Sequence, residues 1–250
     1  MDEKIKQNRE FLKATLWEDR SAWESDQQKD IPQPEFQKSY PKDAELIDLP
    51  HPKELNFGKA ELVKIIDQRR SRRKFNSESL SLEELSYLLW ATQGVRQVIG
   101  ERTYRTVPSG GARHAFETYL YINRVNGLAN GIYRYLPLEH KLLFLYTEDN
   151  LSATVNDAAL GQTFVGNAAV VFFWTSIPYR AEWRYALTSH KMILIDAGHL
   201  CQNLYLAAES IGGGTVAIGA YSQSKTDAIL KVDGVDEMTV YLAPVGKIKA

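Results

Sequence analysis

The chain predicts an α+β fold, on three observations. Strand-like runs and helix-period runs share it without the regular alternation of a doubly wound sheet. Three strand-like runs follow one another across turn residues alone, which makes an antiparallel meander. One long apolar run repeats at steps of three and four, which makes a central helix. With 44% hydrophobic residues in 250, the chain is long enough to bury a substantial core.

Residues 1–55 differ from the rest and read as an N-terminal helix followed by a proline-rich extended arm. Leu12, Leu16 and Trp23 are expected on one side of that helix. Pro32, Pro34, Pro41, Pro50 and Pro52 follow. Each proline removes a backbone donor and pushes its predecessor toward extended geometry. The arm is expected to lie over the body or to reach a neighbouring chain.

Residues 56–250 read as the globular domain. "KAELVKIIDQRR" has helical spacing at Leu62, Ile65 and Ile66. "SLEELSYLLWATQG" opens with Ser81 and Glu84 at capping-box spacing, runs through Leu82, Leu85, Leu88 and Leu89, and stops at Gly94. The meander is "TYLYINRV", "GIYRY" and "KLLFLY", with Gly127, Gly131 and Pro137 at its turns. A helix over 151–160 leads to the strand "AAVVFFW". The long helix, 191–211, carries Leu194, Ala197, Cys201, Leu204, Ala208 and Ile211 on its apolar stripe. Gly212, Gly213 and Gly214 stop it, "TVAIGAY" is the next strand, and "MTVYLAPVGK" is the last.

Charge and composition exclude several functions. Thirty basic residues against 31 acidic ones give a net charge of −1, so neither nucleic acid nor an anionic membrane is implied as partner. A single cysteine, Cys201, forms no intramolecular disulfide and fits a reducing compartment. No apolar run approaches the roughly 20 residues that span a bilayer. "MDEKIKQNRE" lacks the apolar core of a signal peptide. A soluble cytoplasmic protein is the expectation.

Chemical motifs are sparse. "GGGTVAIG" follows a helix and precedes a strand, the reverse of a dinucleotide loop, whose helix N-terminus supplies the donors. The five histidines show no zinc-like spacing, so no metal site is expected; His199, near Asp196, reads as a hydrogen-bonded core histidine. Ser109 in "VPSGGARH" lacks the Gly-x-Ser-x-Gly context of a nucleophile. That leaves "IDQRRSRRKFNSESL", residues 66–80, with four arginines and a lysine in six positions. Cations so crowded repel one another unless an anion offsets them, and guanidinium groups suit phosphate. On charge alone, a ligand phosphate and a solvated helix end remain equal readings.

"RRSRRKF", "VPSGGARHAFETYLY", "DAGHLCQNLYLAAESIG", "VAIGAY" and "YLAPVGK" occur in the order seen in the FMN-dependent nitroreductase superfamily. Residues 60–250 resemble it, most of all its branch related to the azoline-oxidising peptide dehydrogenases. The resemblance implies a mixed, largely antiparallel sheet flanked by helices in an interlocked homodimer, with FMN at the subunit interface. It places Arg69, Arg70, Ser71 and Arg73 on the phosphate, ribityl chain and flavin edge. Pro108, Ser109, Gly110 and Gly111 match a turn that usually comes from the partner subunit. Gly219 and Ala220 match the loop whose amide approaches flavin N5. Gln162 is assigned to the flavin edge and Lys247 to the phosphate.

The implied chemistry is borne by the flavin, so no catalytic side chain is required. NAD(P)H would be the reductant, and a nitroaromatic, quinone or similar small molecule the acceptor. Trp183, Arg184 and Tyr185 are assigned to the substrate mouth. Two departures stand out: Ala115 follows His114 where relatives tend to carry proline, and Arg184-Tyr185 stands where azoline-oxidising relatives look to carry Lys-Tyr. Arginine is a poor general base near neutral pH. Oxidation of a peptide or small metabolite, and flavin binding without turnover, remain as alternatives.

Overall fold

A computed structural model describes the chain except for residues 1, 19, 56, 57, 59, 249 and 250. At the N-terminus, α1 (Glu3–Phe11) is capped by Asp2, whose carboxylate accepts the Lys4 amide at 2.8 Å. It buries none of its residues, so nothing rewards its extension. Helix therefore ends at Phe11, and short 3₁₀ turns cover Thr15–Trp17 and Arg20–Ala22. The expected apolar side through Leu12, Leu16 and Trp23 does not form on one helix; Leu12 and Leu16 are exposed.

The arm lies on its own body. The Gln27 amide donates to Trp183 O at 2.8 Å, and Trp183 Nε1 donates to Ile31 O at 2.7 Å. The Lys38 amide donates to Glu117 Oε1 at 2.8 Å, and Arg134 Nη2 donates to Ser39 O at 2.8 Å. Within the arm, β1 (Leu46–Asp48) joins the main sheet, a strand the sequence reading missed among the prolines.

Next come α2 (Leu62–Gln68) and α3 (Leu82–Gln93). The capping box of α3 forms as the spacing predicts: Ser81 Oγ accepts the Glu84 amide, and Glu84 accepts the Ser81 amide. The hairpin of β2 (Val95–Ile99) and β3 (Arg102–Arg105) was not anticipated; its charged, alternating residues leave no apolar run to read. The meander follows as β4 (Phe116–Ile122), β5 (Gly131–Leu136) and β6 (Lys141–Tyr146). After it come α4 (Leu151–Ala158), α5 (Thr163–Gly166), β7 (Val170–Ser176), α6 (Tyr179–Tyr185) and the long α7 (Ser189–Ser210). The chain closes with β8 (Gly213–Thr215), α8 (Gln223–Leu230) and β9 (Met238–Lys247).

The seven-stranded sheet has the order β1-β6-β5-β4-β7-β9-β8, with every adjacent pair antiparallel. Parallel pairing among the described residues is confined to the bridges Ser71↔Thr215 and Leu80↔Val125. Alternation along the central strands serves both faces. Phe172 and Trp174 of β7 join Leu85, Leu88 and Leu204 in the layer under α3 and α7. Val171 and Phe173 join Val155, Val165 and Ile229 in the layer under α4, α5 and α8.

Two further expectations need correction. "TVAIGAY" is not a continuous strand: β8 ends at Thr215, and beyond it one bridge, Ile218↔Leu242, precedes an open loop. The triple glycine does more than stop α7. Gly212, at φ +68°, ends the helix, whereas a side chain on Gly214 would run into Cβ of Arg72 at 2.7 Å. The stripe of α7 is buried at Ala197, Cys201, Leu204 and Ala208, but Leu194 is 53% exposed, as is its neighbour Ile195 at 49%. Leu62 and Ile66 of α2 are likewise exposed while Ile65 is buried.

Candidate functional site

The basic stretch leaves α2 and runs along β8. Arg69 caps α2 and stacks over the Tyr205 ring, with Cζ 5.3 Å from its centroid. Arg70 turns back, its Nη1 donating to Asp67 O at 2.6 Å and Arg69 O at 3.0 Å. Ser71 Oγ lies 3.1 Å from the Tyr205 hydroxyl. Arg72 is spent elsewhere, in an ion pair with Glu209 at 2.9 Å, while its amide donates to Thr215 O. Arg73 is exposed and, among the described residues, has no carboxylate within ion-pair reach. It lines an open pocket of about 640 Å³ with Ser71 and Phe75.

Tyr205 joins this stretch to the loop after β8. Its hydroxyl accepts the Ala217 amide at 2.8 Å, and the Ile218 amide returns to Leu242 O. The next two amides, those of Gly219 and Ala220, donate to no described group. A side chain on Gly219 would meet nothing within 4 Å, so the backbone there faces open space. Gln162 supports the loop: its Nε2 donates to Ala159 O at 2.9 Å and Ala220 O at 3.0 Å. Tyr205 therefore joins Arg69 and Ser71 to the 217–220 loop, whose far end Gln162 holds.

Pro108, Ser109, Gly110 and Gly111 form a second group, toward the other end of α7. Ser109 Oγ donates to Asp196 Oδ2 at 2.6 Å and accepts the His114 amide at 2.9 Å. The Gly110 amide also points at Asp196, 3.3 Å from Oδ2. Gly111 has φ +56°, and a side chain there would collide with the Tyr185 hydroxyl and Arg184 Nε. Burial raises Asp196 from its ordinary value, against the lowering effect of the bonds from Ser109 and Gly110. Trp183 is buried under Arg113, whose Cζ lies 5.0 Å from its ring centroid, and Arg184 stacks over Tyr185 at 5.5 Å. Of the three residues assigned to the substrate mouth, Arg184 and Tyr185 touch this turn, and Trp183 packs behind it.

The two groups do not meet within one chain. Asp196 and Tyr205 stand nine residues apart on α7, roughly 14 Å along the axis. Lys247 joins neither: its ammonium pairs with Glu84 and donates to Ile211 O at 3.0 Å. His199 departs from the expectation of a core histidine: its side chain is 43% exposed, and Nδ1 lies 3.8 Å from Asp196 Oδ1, beyond hydrogen-bond reach. Tyr205, Asp196 and Arg113 escaped sequence reasoning as site residues. Nothing local marks them, since each owes its place to a partner far along the chain.

Cys201 is buried, and burial pushes its thiol up to about 12, so it stays protonated. Among the described residues, no group of three or more His, Cys, Asp or Glu could hold a metal ion. Among the described residues, no helix is long and apolar enough to cross a membrane.

The model of the Nitroreductase family matches residues 66–247. A curated protein of Methanocaldococcus jannaschii, MJ1384, provisionally named a nitroreductase, is 34% identical over 74% of this chain and 90% of its own. A crystal structure from Ralstonia eutropha, also provisionally named a nitroreductase, superposes with a TM-score of 0.67 at 25% identity, over 88% of this chain and 95% of that one. A chain of the Escherichia coli microcin synthetase complex McbBCD, solved with a truncated pro-peptide, shares the fold at a TM-score of 0.61 and 20% identity, over 84% and 80% of the two chains. The arginine stretch, the 217–220 loop and the 108–111 turn all lie inside the matched region: the chain belongs to the nitroreductase family.

Proposed function

We propose that this protein is an FMN-dependent oxidoreductase that works as a homodimer, takes hydride from NAD(P)H and reduces nitroaromatic, quinone or similar acceptors. The observation that carries the reading is Tyr205, which lies under Arg69 and ties Ser71 to the loop that begins at Ala217, so that a stretch with unpaired cations is joined to a loop with amides that lack acceptors. Arg69 and Arg73 have no ion pair among the described residues, and the Gly219 and Ala220 amides donate to no described group. Unpaired cations fit a phosphate, and free amides fit the polar edge of an isoalloxazine. FMN matches that donor set; a neutral or cationic ligand would not.

Arg69, Ser71 and Arg73 would hold the phosphate end, with Gly219, Ala220 and Gln162 at the ring. When bound, FMN supplies two-electron transfer between reductant and acceptor. The chain's own work is to bind, orient and screen. Tyr205 fixes Ser71 against Ala217, so the phosphate ligand and the amide loop keep a constant separation. Gln162 holds the Ala220 carbonyl, which fixes the far end of that loop.

A second copy would close the site. The 108–111 turn is too far along α7 to serve its own chain's amide loop. Leu62, Val63 and Ile66 on α2, with Leu187 just before α7 and Leu194 and Ile195 on it, are exposed apolar surface suited to a partner. The test is the visible spectrum and solution mass of the purified protein, followed by anaerobic addition of NADH and NADPH. Flavin colour, a dimer mass and bleaching by a nicotinamide are expected; a colourless protein that takes up no FMN would overturn the reading.

The fold shared with the microcin synthetase complex favours one alternative, oxidation of a peptide by a bound flavin. Arg184 in place of lysine removes the general base that this chemistry would use. Bleaching by azoline peptides without any nicotinamide would establish the alternative instead.

A further inference from the structure

We propose that Arg102 and Arg184, with Arg96 beside them, hold a substrate oxyanion, phosphate or carboxylate, in the cavity next to the Pro108–Gly111 turn. That the anion belongs to a substrate rests on the oxidoreductase reading above; that the cavity binds one does not.

The cavity measures about 520 Å³, and its lining carries Arg96, Arg102, Arg105 and Arg184 with Ser109, but, among the described residues, no aspartate or glutamate. Arg105 is buried and satisfied, donating to Gln93 Oε1 at 2.8 Å and Phe36 O at 3.0 Å. Arg96 and Arg102 are exposed on the β2–β3 hairpin, and Arg184 is half-buried at the end of α6. Arg96 uses its Nε on Arg105 O, which leaves its terminal nitrogens free. Among the described residues none of Arg96, Arg102 and Arg184 has a carboxylate within ion-pair reach.

A further cation lies behind the turn. Arg113 is 6% exposed, and its side chain's one hydrogen bond to a described group runs from Nε to Gly111 O at 3.3 Å. Its basicity is lowered by burial first, then by Arg184 and Arg102, and Glu101 restores less than either arginine removes. A buried, unpaired guanidinium among like charges is unfavourable by itself. An oxyanion in the cavity offsets that repulsion, and guanidinium forks match both phosphate and carboxylate. The hairpin, which runs on into the 108–111 turn, and the end of α6 come from two separate stretches of chain, so their convergence is a property of the fold rather than of one basic run.

The test is calorimetric titration of the full FMN-loaded protein with adenosine 2′,5′-bisphosphate and with 4-nitrobenzoate, against adenosine and nitrobenzene as neutral counterparts. At least one anion is expected to bind more tightly than its counterpart, with affinity falling as salt rises. Arg102→Gln and Arg184→Gln should each weaken it about tenfold, the scale of one charge-assisted hydrogen bond. Preference for the bisphosphate assigns the cavity to the reductant; preference for nitrobenzoate assigns it to the acceptor. No preference for either anion, or binding that persists in both variants, overturns the proposal. Flavin content of the same samples reports on the oxidoreductase reading separately. A flavin-bearing protein without anion binding sinks this inference alone, whereas a colourless protein whose anion binding is lost in both variants sinks the flavin reading alone.

Discussion

The Tyr205 hydroxyl lies 3.1 Å from Ser71 Oγ and 2.8 Å from the Ala217 amide, so one side chain of α7 ties two segments 146 positions apart in sequence. Tyr205→Phe keeps the ring under Arg69 and removes both bonds. At about 0.5–1.5 kcal/mol each, their loss should lower FMN affinity by about tenfold while the fold is retained. Fluorescence titration of FMN into the variant checks this, and an unchanged affinity removes Tyr205 from the site.

Arg73 offers a sharper discrimination, because the phosphate can be deleted from the ligand. Arg73→Ala should weaken FMN by about tenfold to a hundredfold, the scale of a hydrogen bond between charged groups. Riboflavin, which lacks the phosphate, should bind wild type and variant alike. Equal losses for both ligands would mean that Arg73 acts on the ring or the fold, not on the phosphate.

Stability rests in part on the ion pair under the arm. Arg180 Nη2 donates to Glu117 Oε1 at 2.6 Å, both side chains are nearly inaccessible, and Glu117 Oε1 also accepts the Lys38 amide. Removing one charge leaves the other buried and unpaired, which costs about 3–5 kcal/mol. Glu117→Gln should therefore lower the unfolding free energy in denaturant by about that amount and make the arm more accessible to proteolysis. A loss below about 1 kcal/mol would show that the pair is dispensable.

His114 makes the fold sensitive to acid. Burial first, then Arg105, lowers its imidazole from 6.5 to about 3, while Nε2 lies 3.1 Å from Thr103 O. The unfolded chain takes up this proton near pH 6.5 and the folded chain does not, so stability falls as pH drops from 6.5 toward 3. The slope contributed is up to about 1.4 kcal/mol per pH unit. His114→Gln should flatten the pH dependence of unfolding in that window, and an unaltered slope would assign the acid sensitivity to other groups.

The elements legible in the chain were those written in local periodicity. The meander, the α3 capping box and the body of α7 follow from spacings of two, three and four, and burial rewards those spacings wherever the domain places them. Elements without an apolar period stayed hidden: β1 lies among prolines, the β2–β3 hairpin mixes arginines with polar and apolar residues, and α8 begins with Gln223 and Ser224. The N-terminal helix stopped short of Leu12 because an apolar side needs a surface to meet, and no sequence window supplies one.

The amino-acid order by itself determined which chemistry was on offer: a crowd of guanidinium groups at 69–74, a Pro-Ser-Gly-Gly turn and a glycine-bearing loop, with no metal-ligand spacing and one cysteine. Tertiary structure alone decided how those parts are used. It set Arg72 on Glu209 and Lys247 on Glu84, left Arg73 without an acid, and gathered Arg102 and Arg184 around one cavity. The reason is physical: a charge acts on whatever lies within a few ångströms in space, and sequence distance does not measure that.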